Sequence, residues 1–444
     1  MPNPGGRPIL VLAPLLLLLS SATPGAQSPA VNPARLQQRI EGLSVFGRPP
    51  GGSFADGVSR VAYSDADVAG RRYVMDQMRA AGLTPRIDPA GNIIARREGR
   101  DPSAPPILFG SHVDSVPNGG NFDGPLGTFA ALEVMQALAE AHVTTAHPLE
   151  MVVWANEEGV AYGNGLDGSR AAAGQLHDGE MDQVWNGVRR ADAVRTIGGD
   201  PARISESRRP AGSIHCYLEL HIEQGGVLEK NGAAIGVVEG IVGIDRYEVT
   251  VRGVANHAGT TPMPDRHDAL VAAARLVLAV NEIVRAEPGR QVGTVGQLSV
   301  TPNAPNVVPG LVKLTIELRD LSAGKVTRLA RAIEDRASAI ARETRTEISI
   351  APTSHHEAAM AAPLLMEAIE RAAGTLGAPA LRLPSGAGHD AQMMATLGPM
   401  GMIFVPSAGG ISHSPKEATG WDDCARGAAV LLQAVLATDR TTVR

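Results

Sequence analysis

Short apolar runs and amphipathic stretches alternate along most of this chain. ILFGS (107–111), LEMVVWA (149–155), CYLELH (216–221) and MIFVPS (402–407) are apolar runs bounded by polar or glycine-rich segments, the pattern of short buried strands. Between the first two, residues 127–141 carry Leu, Val and Met at helical spacing. Upstream, SDADVAGRRYVMDQMRAAGL predicts a helix with Ser64 as its N-cap and Gly82 as its stop. Strands alternating with helices predict the α/β class, an open sheet flanked by helices.

Residues 244–352 break that rhythm. RYEVTVRG alternates strictly, with Tyr247, Val249 and Val251 on one face. A helix over 268–285 follows, its stripe drawn from Leu270, Leu276, Val277, Val280 and Ile283. VGTVGQLSV and VKLTIELRD are the next strands, the second pointing Val312, Leu314, Ile316 and Leu318 one way. A second helix runs through Leu329, Ile333, Ala337 and Ile340, and TEISIAP closes the set. The order β-α-β-β-α-β predicts a ferredoxin-like sheet with helices on one face and polar side chains on the other. Strands of the first kind resume at Met402, so this smaller domain is inserted into a larger one formed by 33–243 and 353–440.

Composition narrows the function classes. Among 444 residues 44% are apolar, 19% charged and only 3% aromatic, and the formal net charge is −6. A chain of that length predicts two domains. Scarce aromatics argue against a stacking platform for single strands, and the absence of a Lys/Arg block argues against nucleic acid or an anionic membrane. Arg7 precedes an apolar run, Ile9 to Leu19, that is too short to span a bilayer, and SSATPGAQS follows it. That layout predicts a secretory signal peptide over 1–26, with cleavage after Ala22 or Ala26 and an exported, periplasmic or secreted product without stable membrane association. A membrane-anchoring helix is the alternative reading. Cys216 and Cys424 lie far apart, and spacing alone leaves their pairing open.

Chemistry gathers at the strand ends. GSHVDSVPNGGNFDGPLG places His112, Asp114 and Asp123 after the first run. WANEEG gives Glu157 and Glu158 after the second, ELHIEQG gives His221 and Glu223 at the third, and GGISHSP gives His413 after the last. Ligands of open α/β sheets collect at the carboxyl ends of strands, so these groups converge on one edge. Three imidazoles with carboxylates suit two divalent ions: nitrogen and oxygen ligands fit zinc, and one carboxylate can bridge two ions. Of the adjacent glutamates, one can bind metal while its neighbour moves a proton. Each piece alone also reads as a polar loop or a satisfied core histidine. It is their recurrence on four strand ends of one domain that points to a site.

SHVDS, NFDGPLG, NEEG, HIEQG, NHAGTTPM, PNVVPG, SGAGHDA and SHSP together resemble the motif set of the M20 metallopeptidase clan. Within it they resemble the amidase branch of N-carbamoyl-L-amino-acid hydrolases, β-ureidopropionase and allantoate amidohydrolases, from about Arg35 to Leu436. The resemblance implies a mixed-sheet, dinuclear-metal exopeptidase-like catalytic domain. It implies one ion on His112, Asp123 and His221 and another on Asp123, Glu158 and His413, with zinc foremost and manganese, cobalt or nickel as alternatives. Glu157 becomes the general base and Asp114 the orienter of His112. The insert becomes a lid and homodimer interface, with His257 stabilising the oxyanion, from the neighbouring subunit in one variant. Gln224, His257, Asn306, Arg319 and Gly388 become substrate contacts, Arg319 for a carboxylate, and His389 is left to a structural role.

The activity so implied is hydrolysis of an N-carbamoyl amino acid or a related small ureide such as allantoate, with release of ammonia and carbon dioxide. An exported aminoacylase or dipeptidase of the same clan, and a metal-free binding protein on the same fold, are the alternatives. Retention of Glu157 argues against the binder, and no G-x-S-x-G elbow supports a serine hydrolase. Two departures stand out: the export signal, and the tract GVAYGNGLDGSRAAAG after the glutamates, which bears on the pocket wall.

Overall fold

The apolar runs form the middle of a nine-stranded mixed sheet in the computed structural model, which describes residues 1–2, 5–6 and 28–441. The secretory leader read over 1–26 lies outside the described residues, apart from four N-terminal positions. In chain order the first strands are β1 (Arg86–Ile87), β2 (Ile93–Arg97), β3 (Ile107–His112), β4 (Leu149–Trp154), β5 (Cys216–Ile222) and β6 (Ile235–Ile241). The chain then leaves for β7 (Gly243–Arg252), β8 (Val292–Thr301), β9 (Leu311–Asp320) and β10 (Glu347–His356). It returns for β11 (Ala359–Met360), β12 (Ala380–Ser385) and β13 (Met400–Val405). The large sheet runs β1-β2-β4-β3-β5-β13-β6-β11, with β12 beside β6. Since β4, β3, β5 and β13 are mutually parallel, their carboxyl ends share one edge.

Period-two alternation assigns each side chain to a layer. On β3, β4 and β5 one set, including Phe109, Met151 and Leu218, packs under α1 (Pro33–Leu43), α2 (Asp65–Ala80), α3 (Pro125–Glu140), α6 (Pro363–Thr375) and α7 (Trp421–Thr438). The alternate set, Leu108, Trp154 and Tyr217 with Phe404, forms a second core on the other face. His112 and His221 continue that second set, so both imidazoles emerge on the same side of the sheet. Ser64 caps α2 by accepting from the Asp67 N–H at 3.3 Å, and Gly82 takes φ 81° just past its end.

The inserted segment has the element order β7, α4 (Ala269–Ala286), β8, β9, α5 (Ala323–Thr344), β10, in an antiparallel sheet ordered β8-β9-β7-β10. Both helices cover one sheet face, on which Val249, Val251, Val312, Leu314, Ile316 and Leu318 are buried. Two details depart from the sequence pattern. Leu270 is exposed, because α4 buries a stripe made largely of Ala269, Ala272, Ala273 and Ala279. The last strand continues to His356, past a register shift between Pro352 and Ser354 that interrupts its alternation. Cys216 and Cys424 are buried and unpaired. Among the described residues no helix is long and apolar enough to cross a membrane.

Candidate metal centre and active-site cleft

His112 ends β3, His221 lies at the end of β5, and Asp123 sits on the glycine loop that leads into α3. Asp123 Oδ1 lies 3.2 Å from His221 Nε2 and 3.5 Å from His112 Nε2. Its other oxygen lies 3.3 Å from His413 Nε2, which is itself 3.3 Å from Glu158 Oε2. Potential ligand atoms thus form two groups, His112–Asp123–His221 and Asp123–Glu158–His413, each within 4.8 Å and sharing one carboxylate.

These groups have the chemistry of ligands. His112 Nδ1–H donates to the Asp114 carbonyl at 3.1 Å, and His221 Nδ1–H donates to the Ile222 carbonyl at 2.9 Å. That tautomer aims each Nε2 lone pair at the site, where both Nε2 atoms and Glu158 Oε1 are buried without a hydrogen-bond partner. Charge balance argues the same way. Burial pushes the Glu157 carboxyl well above its ordinary range, with His112 opposing and Asp390, Glu158 and Asp123 adding to it. Burial also lifts Glu158 to about 8, with Asp123 adding to it. His413 rises to about 9, chiefly through its contact with Asp123. The cluster therefore gathers protons where cations would sit, and the residues present fit two divalent ions.

The supporting contacts differ in part from expectation. The group of Asp114 that accepts from His112 is its backbone carbonyl, while its carboxylate stands 3.7 Å from the ring nitrogen. That carboxylate instead accepts the N–H groups of Glu157 and Glu158, both at 3.2 Å, and clamps the turn that carries them. Asn156 enters that turn with φ 50° and donates to Asp167 at 2.6 Å. Gln224 and His413 also hold positive φ, at 58° and 53°, strain of the kind concentrated at functional sites. Glu417, not singled out in the sequence, is buried and accepts from the N–H groups of Phe122 and Asp123 at 2.9 and 3.1 Å. Its place four residues after His413, on the same loop, was the available signal.

A cleft of about 360 Å³ opens beside the ligands. Asp123, Glu157, Glu158, His221, Gln224, Gly388 and His413 line it, with Arg319 from the insert. The Gln224 side-chain N–H donates to Asp123 at 2.6 Å. The tract after the glutamates does form pocket wall, through Gly163 to Leu166. His389 lines the cleft too, its Nε2 bonded to the Ser385 hydroxyl at 2.9 Å. Arg246 and His356 also face in, and neither stood out in the sequence because only strand pairing places them there. His257 and Asn306 are not brought to this cleft. Both are exposed, His257 on a short two-stranded ribbon and Asn306 just before its second strand, where the Ala258 N–H donates to the Asn306 carbonyl at 2.9 Å. His257 Nδ1 accepts from the N–H groups of Gly259 and Thr260 at 3.0 and 3.2 Å, which leaves its Nε2–H free to donate.

A mixed α/β sheet whose parallel strands end in His and carboxylate groups, two clusters sharing one aspartate, and an adjacent glutamate form the arrangement of a metallohydrolase. Residues 108–437 match Peptidase family M20/M25/M40, and the chain belongs to that family. It is 42% identical over 402 residues to an N-carbamoyl-L-amino acid amidohydrolase of Geobacillus stearothermophilus, covering 90% of this chain and 97% of the relative. It is 34% identical to the allantoate amidohydrolase of Escherichia coli, over 89% of this chain and 95% of the other. A crystal structure of a hydantoinase/carbamoylase family amidase from Burkholderia multivorans superposes with TM-score 0.86 at 35% identity, covering 94% of this chain and all of that one.

Proposed function

We propose that this chain is a metal-dependent amidohydrolase that cleaves the C–N bond of an N-carbamoyl amino acid or related ureide, releasing ammonia and carbon dioxide. One observation carries the reading: Asp123 is shared by two ligand groups beside Glu157, in a cleft that Arg319 closes from the insert. Two divalent cations, when bound, polarise the carbonyl and lower the pKa of water. Zinc suits the nitrogen and oxygen ligands best, with manganese, cobalt or nickel as substitutes.

The protein's own groups do the rest. Asp114 and Asn156 fix the turn so that Glu158 faces His413 while Glu157 Oε2 stays 3.6 Å from His112 Nε2. Glu157, with its raised proton affinity, takes the proton from water and returns it to the leaving nitrogen. Arg319 holds the substrate carboxylate, and Gln224 and Gly388 bound the reacting carbonyl. His257 serves the site of a second subunit, donating from Nε2 to the developing oxyanion, with Asn306 beside it; the insert is then the homodimer interface as well as the lid. The leader over 1–26 directs export, and N-terminal sequencing of the mature protein tests it.

The deciding assay is ammonia release by the purified, zinc- or manganese-loaded protein from N-carbamoyl-L-amino acids, N-carbamoyl-β-alanine and allantoate, with N-acetyl amino acids and dipeptides in parallel. Chelator-sensitive ammonia from the ureides is expected. Amine release from acyl or peptide substrates without ammonia would replace this reading with an aminoacylase or dipeptidase.

A further inference from the structure

Two guanidiniums and one carboxylate share the polar face of the inserted sheet. Pairing sets Glu317 opposite Arg246, and sets Arg319 and His356 opposite Ile244. Residues paired across strands, and those two apart, lie on one face. Ile244, Arg246, Arg319 and His356 line the cleft, whereas Glu317 stands behind them, outside its lining. Arg246 Nε–H donates to Glu317 Oε2 at 2.6 Å, and Arg319 Nε–H donates to Oε1 at 2.7 Å. Arg319 Nη2 lies 2.7 Å from that same oxygen, and its Nη1–H donates to the Gly386 carbonyl at 2.6 Å, on the loop before Gly388. Two of the five guanidinium protons are hydrogen-bonded in this way, which leaves at least one on each terminal nitrogen, the pair a carboxylate needs.

We propose that Glu317 is a positioning residue that sets charge specificity: it neutralises one of the two guanidiniums, so the wall accepts one substrate carboxylate and disfavours a second. The proposal rests on the ureide reading for its substrates. Burial raises the Glu317 carboxyl, but Arg319 and Arg246 outweigh it and hold it below the ordinary range, so it is ionised near pH 7. His356 contributes no charge, because burial and the neighbouring Arg246 lower its proton affinity. The face therefore offers a single uncompensated positive charge. A second carboxylate on the substrate side chain would find Arg246 already engaged and Glu157 and Glu158 across the cleft.

The test compares N-carbamoyl-L-aspartate with N-carbamoyl-L-asparagine, which differ in charge and hardly in shape. The ratio of their kcat/KM values, aspartate over asparagine, is measured for the full-length metal-loaded protein and for Glu317→Gln. Release of one guanidinium should raise that ratio about two- to fivefold, a change of the size that pairing of partly exposed charges produces. Glu317→Asp, which keeps the charge, should restore the original ratio, and Arg246→Gln should raise KM for the asparagine compound with kcat little changed. An unchanged ratio in Glu317→Gln, with a folded protein by circular dichroism, overturns the proposal. If the unmodified protein releases no ammonia from either compound, the ureide reading fails only if every other ureide is also left intact. The charge ratio is then read from calorimetric dissociation constants of the same two compounds, where a flat ratio between unmodified protein and Glu317→Gln again overturns the role of Glu317.

Discussion

At the scale of single residues, Glu157 and Glu158 show how neighbours acquire separate tasks. Both are lifted by burial, yet only Glu158 joins His413 and Asp123 in a group that could hold metal, while Glu157 faces the cleft from the His112 side. Glu157→Gln should lower kcat by about 10³-fold, the usual weight of a positioned acid–base group, with both ions still present by elemental analysis. Loss of an ion along with activity would make Glu157 a ligand instead. The raised proton affinities predict a pH effect. The His413 imidazole, at about 9 against an ordinary 6.5, stabilises the metal-free fold at low pH and loses that contribution as pH rises through about 9. The Glu158 carboxyl, at about 8 against an ordinary 4.5, becomes a cost to the fold as pH rises above about 4.5, complete by about 8. Both act in one direction, so the Tm of chelator-treated protein should fall between about pH 6 and 9, and the gain in Tm on adding zinc should widen over the same interval. A metal-free Tm that rises with pH would contradict the assignment of these two groups.

At the scale of elements, the glycine loop before α3 is the clearest link from sequence to site. Gly124 holds φ 82°, and a Cβ there would lie 2.5 Å from the His112 ring. Gly124→Ala should therefore leave the fold intact by circular dichroism but weaken binding of the ion held by His112 about 10- to 100-fold, measured by competition with a chromophoric chelator. Unaltered affinity would mean that the loop yields without moving the ring. The strand ends were legible because buried apolar runs stop abruptly at the polar groups they deliver, as ILFGS does at His112 and CYLELH at His221. Strands β2, β6 and β12 were not read. β6 contains Gly236 and Gly240, and β12 carries Arg382 and Pro384 inside an otherwise apolar stretch, so neither keeps a clean pattern. The stripe of α4 was misread at Leu270 because its buried face is built from alanines, which hydrophobic periodicity underweights.

At the scale of the whole molecule, the site joins residues far apart in the chain. Glu417 braces Asp123 across 294 positions, and Arg246 meets Glu317 across 71. Such pairings depend on sheet order and loop packing, which one sequence read alone does not supply. The five groups that could hold metal each stood out in the sequence, since each carries its own motif. His257 tests the assembly. If it serves a second subunit's site, Glu157→Gln and His257→Ala proteins should each be inactive, and co-refolding them should restore about a quarter of the sites in a two-fold dimer. No recovery, or a monomer by sedimentation, would remove His257 from the chemistry.

Asp123 has one further consequence. A single side chain belongs to both ligand groups, and Gln224 and Ser412 already hold one of its oxygens. Whatever fixes that carboxylate for one ion fixes it for the other, so the two affinities are thermodynamically linked and neither has an independent value. Titration with a divalent ion should depart from two identical, independent steps. The half-filled enzyme would then be a poor guide to either site, and a chelator strong enough to remove one ion would already have altered the hold on its neighbour.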